Sequence, residues 1–522
     1  MAIARAASRR ISLALALVVI AACGGARADD PPQPAQQMPP AASPAGQKGG
    51  PDARGAGAPP SPVVAEQLKL PPDSTTKQTL DLPGRTLSFT ATAGSIRLFD
   101  EKGEPQADIV YTAYQLDGTD RATRPVTFVF NGGPGAASAW LQFGNNGPWR
   151  IPINADAVTP SAAPDVQPNA ETWLDFTDLV FIDPVGTGYS RFVATGEDVR
   201  KKFFSVDGDV ASIAVTIRRW LEKNDRLLSP KYVACESYGG IRGPKVVHNL
   251  ATQQGVGVRG LILISPVLDF RETSGTSILQ YVASLPTFAA VAREKKGAVS
   301  RADLADVEGY ARGDFLLDLI KGQADPEATR RVADKVAALT GIDQATSRRL
   351  AGRFDIAEFR REFDRRDGKV TGRYDASVLG ADPYPDSSFF HFGDPSGDSL
   401  TAPLTSAAVD LTTRKLNWRP NGSFQVLNGA VAHAWDFGRG LRPLESVSDL
   451  RQILASDPKL KILVAHGLFD LATPYFGSRI ILDQLPAFAD RVDFAVYPGG
   501  HMFYSRDASR RAFRSEVEGL MK

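Results

Sequence analysis

Cysteine is almost absent: Cys23 and Cys235 are the two in a chain of 522 residues. If Cys23 is removed or lipidated with a leader, no intrachain disulfide is possible in what remains. The fold must then stand on its hydrophobic core. Histidine is scarce too, with five residues, at positions 248, 391, 433, 466 and 501. Scattered in this way they give no metal-ligand spacing, and no motif calls for a cofactor. Net charge is nearly nil, because 60 Lys and Arg face 59 Asp and Glu. That balance argues against nucleic acid or an anionic surface as a general partner. Long apolar runs are missing as well. Ile11 to Ala22 is too short for a membrane span. What is plentiful is core material, at 43% hydrophobic residues, in a length that fits one α/β domain with insertions.

Residues 1–28 read as an export signal. Arg5, Arg9 and Arg10 precede the apolar stretch. Two exits follow it. Ile20-Ala21-Ala22-Cys23 resembles a bacterial lipobox, in which Cys23 is lipidated. Ala26-Arg27-Ala28 suits ordinary signal peptidase. The expected location is the bacterial periplasm or cell envelope, with membrane contact only through a lipid on Cys23. Residues 29–65 are rich in Pro, Ala, Gly and Gln, cannot build a core, and read as a flexible tether.

Residues 66–522 read as one domain. Alternating strands from about Leu80 give way to solid apolar runs at Pro125–Phe130, Asp178–Asp183, Gly260–Ile264, Lys461–Gly467 and Val492–Gly500. Helical periods between several of them predict a mostly parallel sheet covered on both faces. Charged helical patterns between about 271 and 418 read as an inserted cap, mainly helical at its start. A separate helical domain in tandem is the other reading.

The chemistry centres on Lys231–Gly240, KYVACESYGG. A strand runs into Glu236-Ser237-Tyr238, a glycine pair follows, and a helix is expected from Ile241. Strand, tight turn with a central serine, helix is the setting of a nucleophile elbow. Cys235 holds the first glycine position of G-x-S-x-G. His501, in a loop after the last strand, is the best general base, since open α/β sheets place their ligands at that edge. Asp470, after the penultimate strand, would orient it. His466 reads as a packed or partly exposed loop residue, and His248 points away on the helix after the elbow. The N–H of Tyr238, with one from the Gly132-Gly133 loop, would form an oxyanion hole.

Five motifs in order, NGGPGAAS from Asn131, DPVGTGYS from Asp183, ESYGG from Glu236, the Asp470 loop and GGHM from Gly499, are similar to the serine carboxypeptidase family, an α/β-hydrolase branch with a helical cap. The resemblance spans roughly Leu80 to Lys522. It implies Ser237, Asp470 and His501 as the triad, Gly133 and Tyr238 as oxyanion donors, and Asn131 and Glu236 as the site of the substrate's free carboxylate. The implied reaction is removal of C-terminal residues from peptides through an acyl-enzyme. An esterase or acyltransferase on the same frame, or a non-catalytic envelope binding protein, are the alternatives. There are departures. Ala136 stands where the family has a disulfide cysteine. Asn145, by count, stands where a second glutamate partners the one before the serine, and a shift of one residue would give Asn146. Glu236 is therefore expected to have no anionic partner that would raise its pKa.

Overall fold

The computed structural model describes residues 70–153, 160–161, 163–273, 275–387, 392–438 and 443–522. The leader, Cys23, the tether and His391 lie outside them. Nine strands carry the frame: β1 Ser74–Leu82, β2 Arg85–Phe99, β3 Pro105–Leu116, β4 Val126–Phe130, β5 Asp178–Ile182, β6 Lys231–Glu236, β7 Gly260–Ile264, β8 Lys461–Gly467 and β9 Val492–Tyr497. They lie in the order β1-β2-β3-β5-β4-β6-β7-β8-β9, and a short strand at Arg191–Phe192 also pairs with β3. From β5 to β9 every pairing is parallel, and β1 to β3 add an antiparallel wing. This is an α/β-hydrolase architecture with a mostly parallel central sheet.

Successive side chains of a strand point to opposite faces. In β6, Tyr232 and Ala234 join one core, while Val233 and Cys235 join the other. Helices α1 Val206–Lys223, α2 Gly239–Thr252 and α5 Val447–Ser456 cover the second face through Ile213, Ile217, Val246, Val247, Leu450 and Ile453. Helix α7, Asp507–Met521, covers the first through Phe513 and Val517. Burial on both faces explains why the middles of the central strands are apolar rather than alternating.

Local chemistry sets the helix bounds. Ser205 caps α1 by accepting from Gly208 N, and Asp207 and Asp209 sit in its first turn, where the helix dipole favours negative charge. Within α2, Pro244 has no N–H to give the Gly240 carbonyl. Ser446 Oγ donates to that carbonyl instead, at 2.6 Å.

Strands β7 and β8 are adjacent in the sheet, yet most of the chain from Ser265 to Leu460 lies between them. Part of it forms helices α3 Leu279–Glu294 and α4 Pro326–Thr340, and a small antiparallel arm, Lys369–Thr371 with Leu379–Ala381. Helix α4 starts on the Asp325 cap with Pro at its head and stops at Gly341 in the left-handed region. A third core holds this region together through Val282, Phe288, Val332 and Phe359. It also contains Leu468, Phe469 and Leu471, the neighbours of Asp470, and Tyr475 and Phe476 of helix α6, Tyr475–Leu482. Among the described residues no helix is long and apolar enough to cross a membrane.

Candidate active site

The site lies along the carboxyl ends of the parallel strands, at the edge where open α/β sheets receive ligands. Ser237 follows β6 with φ of 64°, in the left-handed region that non-glycine residues rarely occupy. Backbone hydrogen bonds hold it there. Its N–H donates to Ile264 O at 3.0 Å, and its carbonyl accepts from Gly240 N at 2.8 Å and Val267 N at 3.1 Å. The side chain is half-buried, whereas Glu236 and Tyr238 on either side are buried. Cys235 fits at the first glycine position because its neighbours on α2 are small. A Cβ on Gly239 would stand 2.8 Å from Cys235 Cβ, and one on Gly243 would collide with its sulfur. The glycines the tight turn needs have moved onto the helix.

His501 Nδ1 and Asp470 Oδ2 are 2.7 Å apart. Asp470 is fully buried, and its oxygens also accept from Ala472 N, Thr473 N and Thr473 Oγ1 at 2.8, 3.1 and 2.7 Å. Burial opposes a charged His501, but the Asp470 charge and hydrogen bond outweigh it and raise the imidazole pKa. Ser265 ties the two sides together. It follows Ile264, the acceptor of Ser237 N, and its hydroxyl donates to His501 O at 2.7 Å. Ser237, Asp470 and His501 are thus gathered at one edge in α/β-hydrolase order. His466 is fully buried on β8, and burial pushes its pKa down to about 4. His248 faces Asp449 at 3.1 Å, on α5.

The Asn131 loop passes directly over the elbow. A Cβ on Gly132 would fall onto Tyr238 N and Glu236 O, so only glycine allows this approach. Gly133 follows with φ of 96°. Among the described residues, neither Gly133 N–H nor Tyr238 N–H meets an acceptor. Two free N–H groups beside a serine can receive a developing oxyanion.

Asn131 bridges outward. Its Oδ1 accepts from Leu141 N at 3.1 Å, and its Nδ2 donates to Glu236 Oε2. Arg242 of α2, fully buried, donates to Asn131 O and pairs with Asp209 at 2.5 Å. Tyr504 OH donates to both Glu236 oxygens, at 2.9 and 3.1 Å. These hydrogen bonds favour the carboxylate, yet burial is the larger effect and pushes the Glu236 pKa up to about 7. The expectation that no anionic partner raises the Glu236 pKa is corrected: burial raises it most, and the charge of Asp470 adds a smaller push in the same direction.

Asn145 and Asn146 close a short π-helical turn, Gln142–Asn146, which follows a brief helix from Ala139. Their carbonyls accept from Asn169 and Thr172, at 2.8 and 3.0 Å. Both side chains are buried, and all four amide atoms lack a partner among the described residues. The turn packs toward the Glu236 cluster, since a Cβ on Gly144 would meet the Tyr504 ring at 2.9 Å.

Sequence reasoning missed the contribution of the inserted region. Its segment Arg373–Ala376 lies between the loops that carry Asp470 and His501. Leu471 N donates to Arg373 O at 3.0 Å, His501 N to Tyr374 O at 2.5 Å, and Ala376 N to Phe469 O at 2.9 Å. The Tyr374 ring lies 5.2 Å from the His501 ring. Gly500 admits this segment, because a Cβ there would meet Asp375 Cα. Tyr504, three residues after His501, and Arg242 were missed as well. No local pattern signals any of them. Among the described residues, no group of three or more His, Cys, Asp and Glu is placed to hold a metal ion.

The frame is that of the α/β-hydrolase fold. Residues 83–295 match the model of the serine carboxypeptidase family. The vitellogenic carboxypeptidase of Aedes aegypti is 29% identical over 149 residues, 28% of this chain and 29% of that protein. Serine carboxypeptidase-like 50 of Arabidopsis thaliana is 26% identical over 175 residues, 32% of this chain and 37% of that protein. The matches span about a third of the length of these curated relatives. In fold, a prohormone-processing carboxypeptidase from Saccharomyces cerevisiae superposes with a TM-score of 0.52 at 16% identity, covering 83% of this chain and 91% of that one.

Proposed function

We propose that the protein is a serine carboxypeptidase, releasing C-terminal residues from peptides through an acyl-enzyme. The observation that carries this reading is the buried cluster of Asn131, Glu236 and Tyr504 directly beside Ser237. A carboxyl pushed up to about 7 is largely protonated below that value, and can then donate to the free carboxylate of a peptide. The orphan amide of Asn145 would supply a second donor. Ser237 attacks the scissile carbonyl, His501 takes its proton and hands it to the departing amine, and Asp470 orients the imidazole. The N–H groups of Gly133 and Tyr238 stabilise the oxyanion. Water, activated by His501, releases the acyl group.

The test compares a peptide with its C-terminal amide, products read by mass spectrometry. Sequential loss of single residues from the acid, with the amide resistant, is the expected outcome. Equal cleavage of acid and amide would reduce the reading to a general capped hydrolase. Fluorophosphonate labelling at Ser237 separates both from a non-catalytic binding protein.

In this reading the region about 271–418 is a cap on the hydrolase domain 66–522. Export by the leader 1–28 is part of the same proposal, with Cys23 lipidated and residues 29–65 as tether. Intact-mass measurement of the mature N-terminus tests it: acyl chains on Cys23 are expected, and an unmodified Asp29 would overturn the anchor.

A further inference from the structure

Arg373 occupies a distinctive place in the site. Its N–H donates to Asp394 Oδ1 at 3.1 Å, and its carbonyl accepts from Leu471 N, next to Asp470. The following residue, Tyr374, lays its ring against His501 and binds the His501 N–H. With its backbone fixed at the catalytic loops, Arg373 is exposed, and its guanidinium has no hydrogen bond or ion pair among the described residues. Its charge reaches inward, lowering the proton affinity of both His501 and Tyr374. Among the described residues, the other charged or titratable groups facing His501 are Asp470, Glu236 and His466.

His501 protonates the departing amine, so groups around its open edge face the departing residue. In the proposed function, that residue's terminal carboxylate goes to the Glu236 cluster, which leaves its side chain to meet whatever lines the mouth beside His501. A guanidinium offers a planar fork that matches a carboxylate. We propose that Arg373 is a specificity-determining residue that pairs with the side-chain carboxylate of an acidic C-terminal residue in the substrate. This rests on the carboxypeptidase reading.

The experiment measures kcat/KM for wild type, Arg373→Gln, Arg373→Lys and Arg373→Glu. The substrates are peptides of identical sequence that end in Glu, Gln or Lys. Wild type should prefer terminal Glu over Gln by about fivefold, the scale of one partly exposed charge pair. Arg373→Gln should abolish that ratio, Arg373→Lys should keep part of it, and Arg373→Glu should turn the preference toward Lys. A second readout uses an uncharged ester. The pH at which its hydrolysis rises, set by deprotonation of His501, should move upward in Arg373→Gln and stay in Arg373→Lys, because removing a nearby cation raises the imidazole pKa. A Glu/Gln ratio unchanged by Arg373→Gln overturns the proposal. So does an equal loss on both peptides, which would give the guanidinium to the terminal carboxylate or to the fold. Wild-type release of terminal Gln tests the underlying reading by itself. If neither peptide is cleaved, both readings fall together.

Discussion

Two buried carboxyl groups stand near one another at one edge of the sheet and are treated in opposite ways. Asp470 receives two backbone N–H groups, a threonine hydroxyl and the imidazole of His501. Glu236 receives one amide and one hydroxyl, and burial pushes its pKa to about 7. Around Asp470 the described hydrogen-bonding groups close on one another. Beyond Glu236 lie the amides of Asn145 and Asn146, with no partner among the described residues. A buried polar group without a partner costs about 1–3 kcal/mol. The half of the site that would perform chemistry is finished within the protein, and the half that would recognise substrate keeps donors open.

The sharpest way to break that contrast is to remove the proposed nucleophile. Ser237→Ala should lower kcat on the order of a millionfold while substrate still binds, because the recognition half is untouched. Active-site titration and peptide binding on the same sample check it; residual activity above a few per cent, or loss of binding, would contradict it.

Next in size is the strut behind Asn131. Arg242 pairs with Asp209 in the interior and donates to the carbonyl of Asn131. Asp209→Ala leaves a buried guanidinium uncompensated, and breaking such a pair costs about 3–5 kcal/mol. Denaturant unfolding should show a loss of that order. Asn131 should lose its position as well, so KM should rise before the fold is lost. A loss below about 1 kcal/mol would mean that Arg242 finds another partner.

The ease with which this architecture is read from sequence differs between the same regions. Strands β4 to β9 announce themselves as apolar runs, and the loops after them carry the glycines that a close backbone approach demands. Gly132 and Ser237 were legible for that reason. Strand β1, Ser74–Leu82, was not, because it is largely polar and owes its conformation to pairing with β2. The space for Cys235 depends on Gly239 and Gly243, which only the packing of α2 on β6 reveals. Tyr374, Arg373 and Tyr504 reach the site through folding of distant segments, and no spacing rule predicts such contacts. What raises the Glu236 pKa was not legible, because charge neighbours can be counted along a motif, whereas desolvation and the approach of Asp470 are properties of the assembled core.

A smaller change tunes the recognition half without breaking it. Tyr504→Phe removes the hydroxyl that donates to both Glu236 oxygens. Since that bond favours the charged form, Glu236 should hold its proton to higher pH, by roughly one unit for a hydrogen bond to a charged group. The pH dependence of KM for peptides should shift upward while kcat changes little. A downward shift would show that the hydroxyl serves the neutral carboxyl.

The finest test concerns Glu236 alone. In the proposed function it donates to a peptide carboxylate when protonated and repels one when ionised. With its pKa near 7, KM for a peptide acid should be flat below that pH and climb above it, by about tenfold per pH unit for one proton. Glu236→Gln donates at every pH and should flatten the curve. The C-terminal amide has no carboxylate to recognise and should be flat with either enzyme. Stability gives an independent reading with its own sign. A carboxyl whose pKa is raised by folding still binds a proton in the native state at pH values where the unfolded chain has released it. Its contribution is fully present below the ordinary carboxylate range and is lost as pH rises toward 7. Wild type should therefore lose stability relative to Glu236→Gln across that interval. If KM shows the inflection and stability does not, the proton belongs to the enzyme–substrate complex rather than to the free enzyme. If stability shows it and KM does not, Glu236 is a buried structural acid, and the open amides of Asn145 and Asn146 serve something other than a terminal carboxylate.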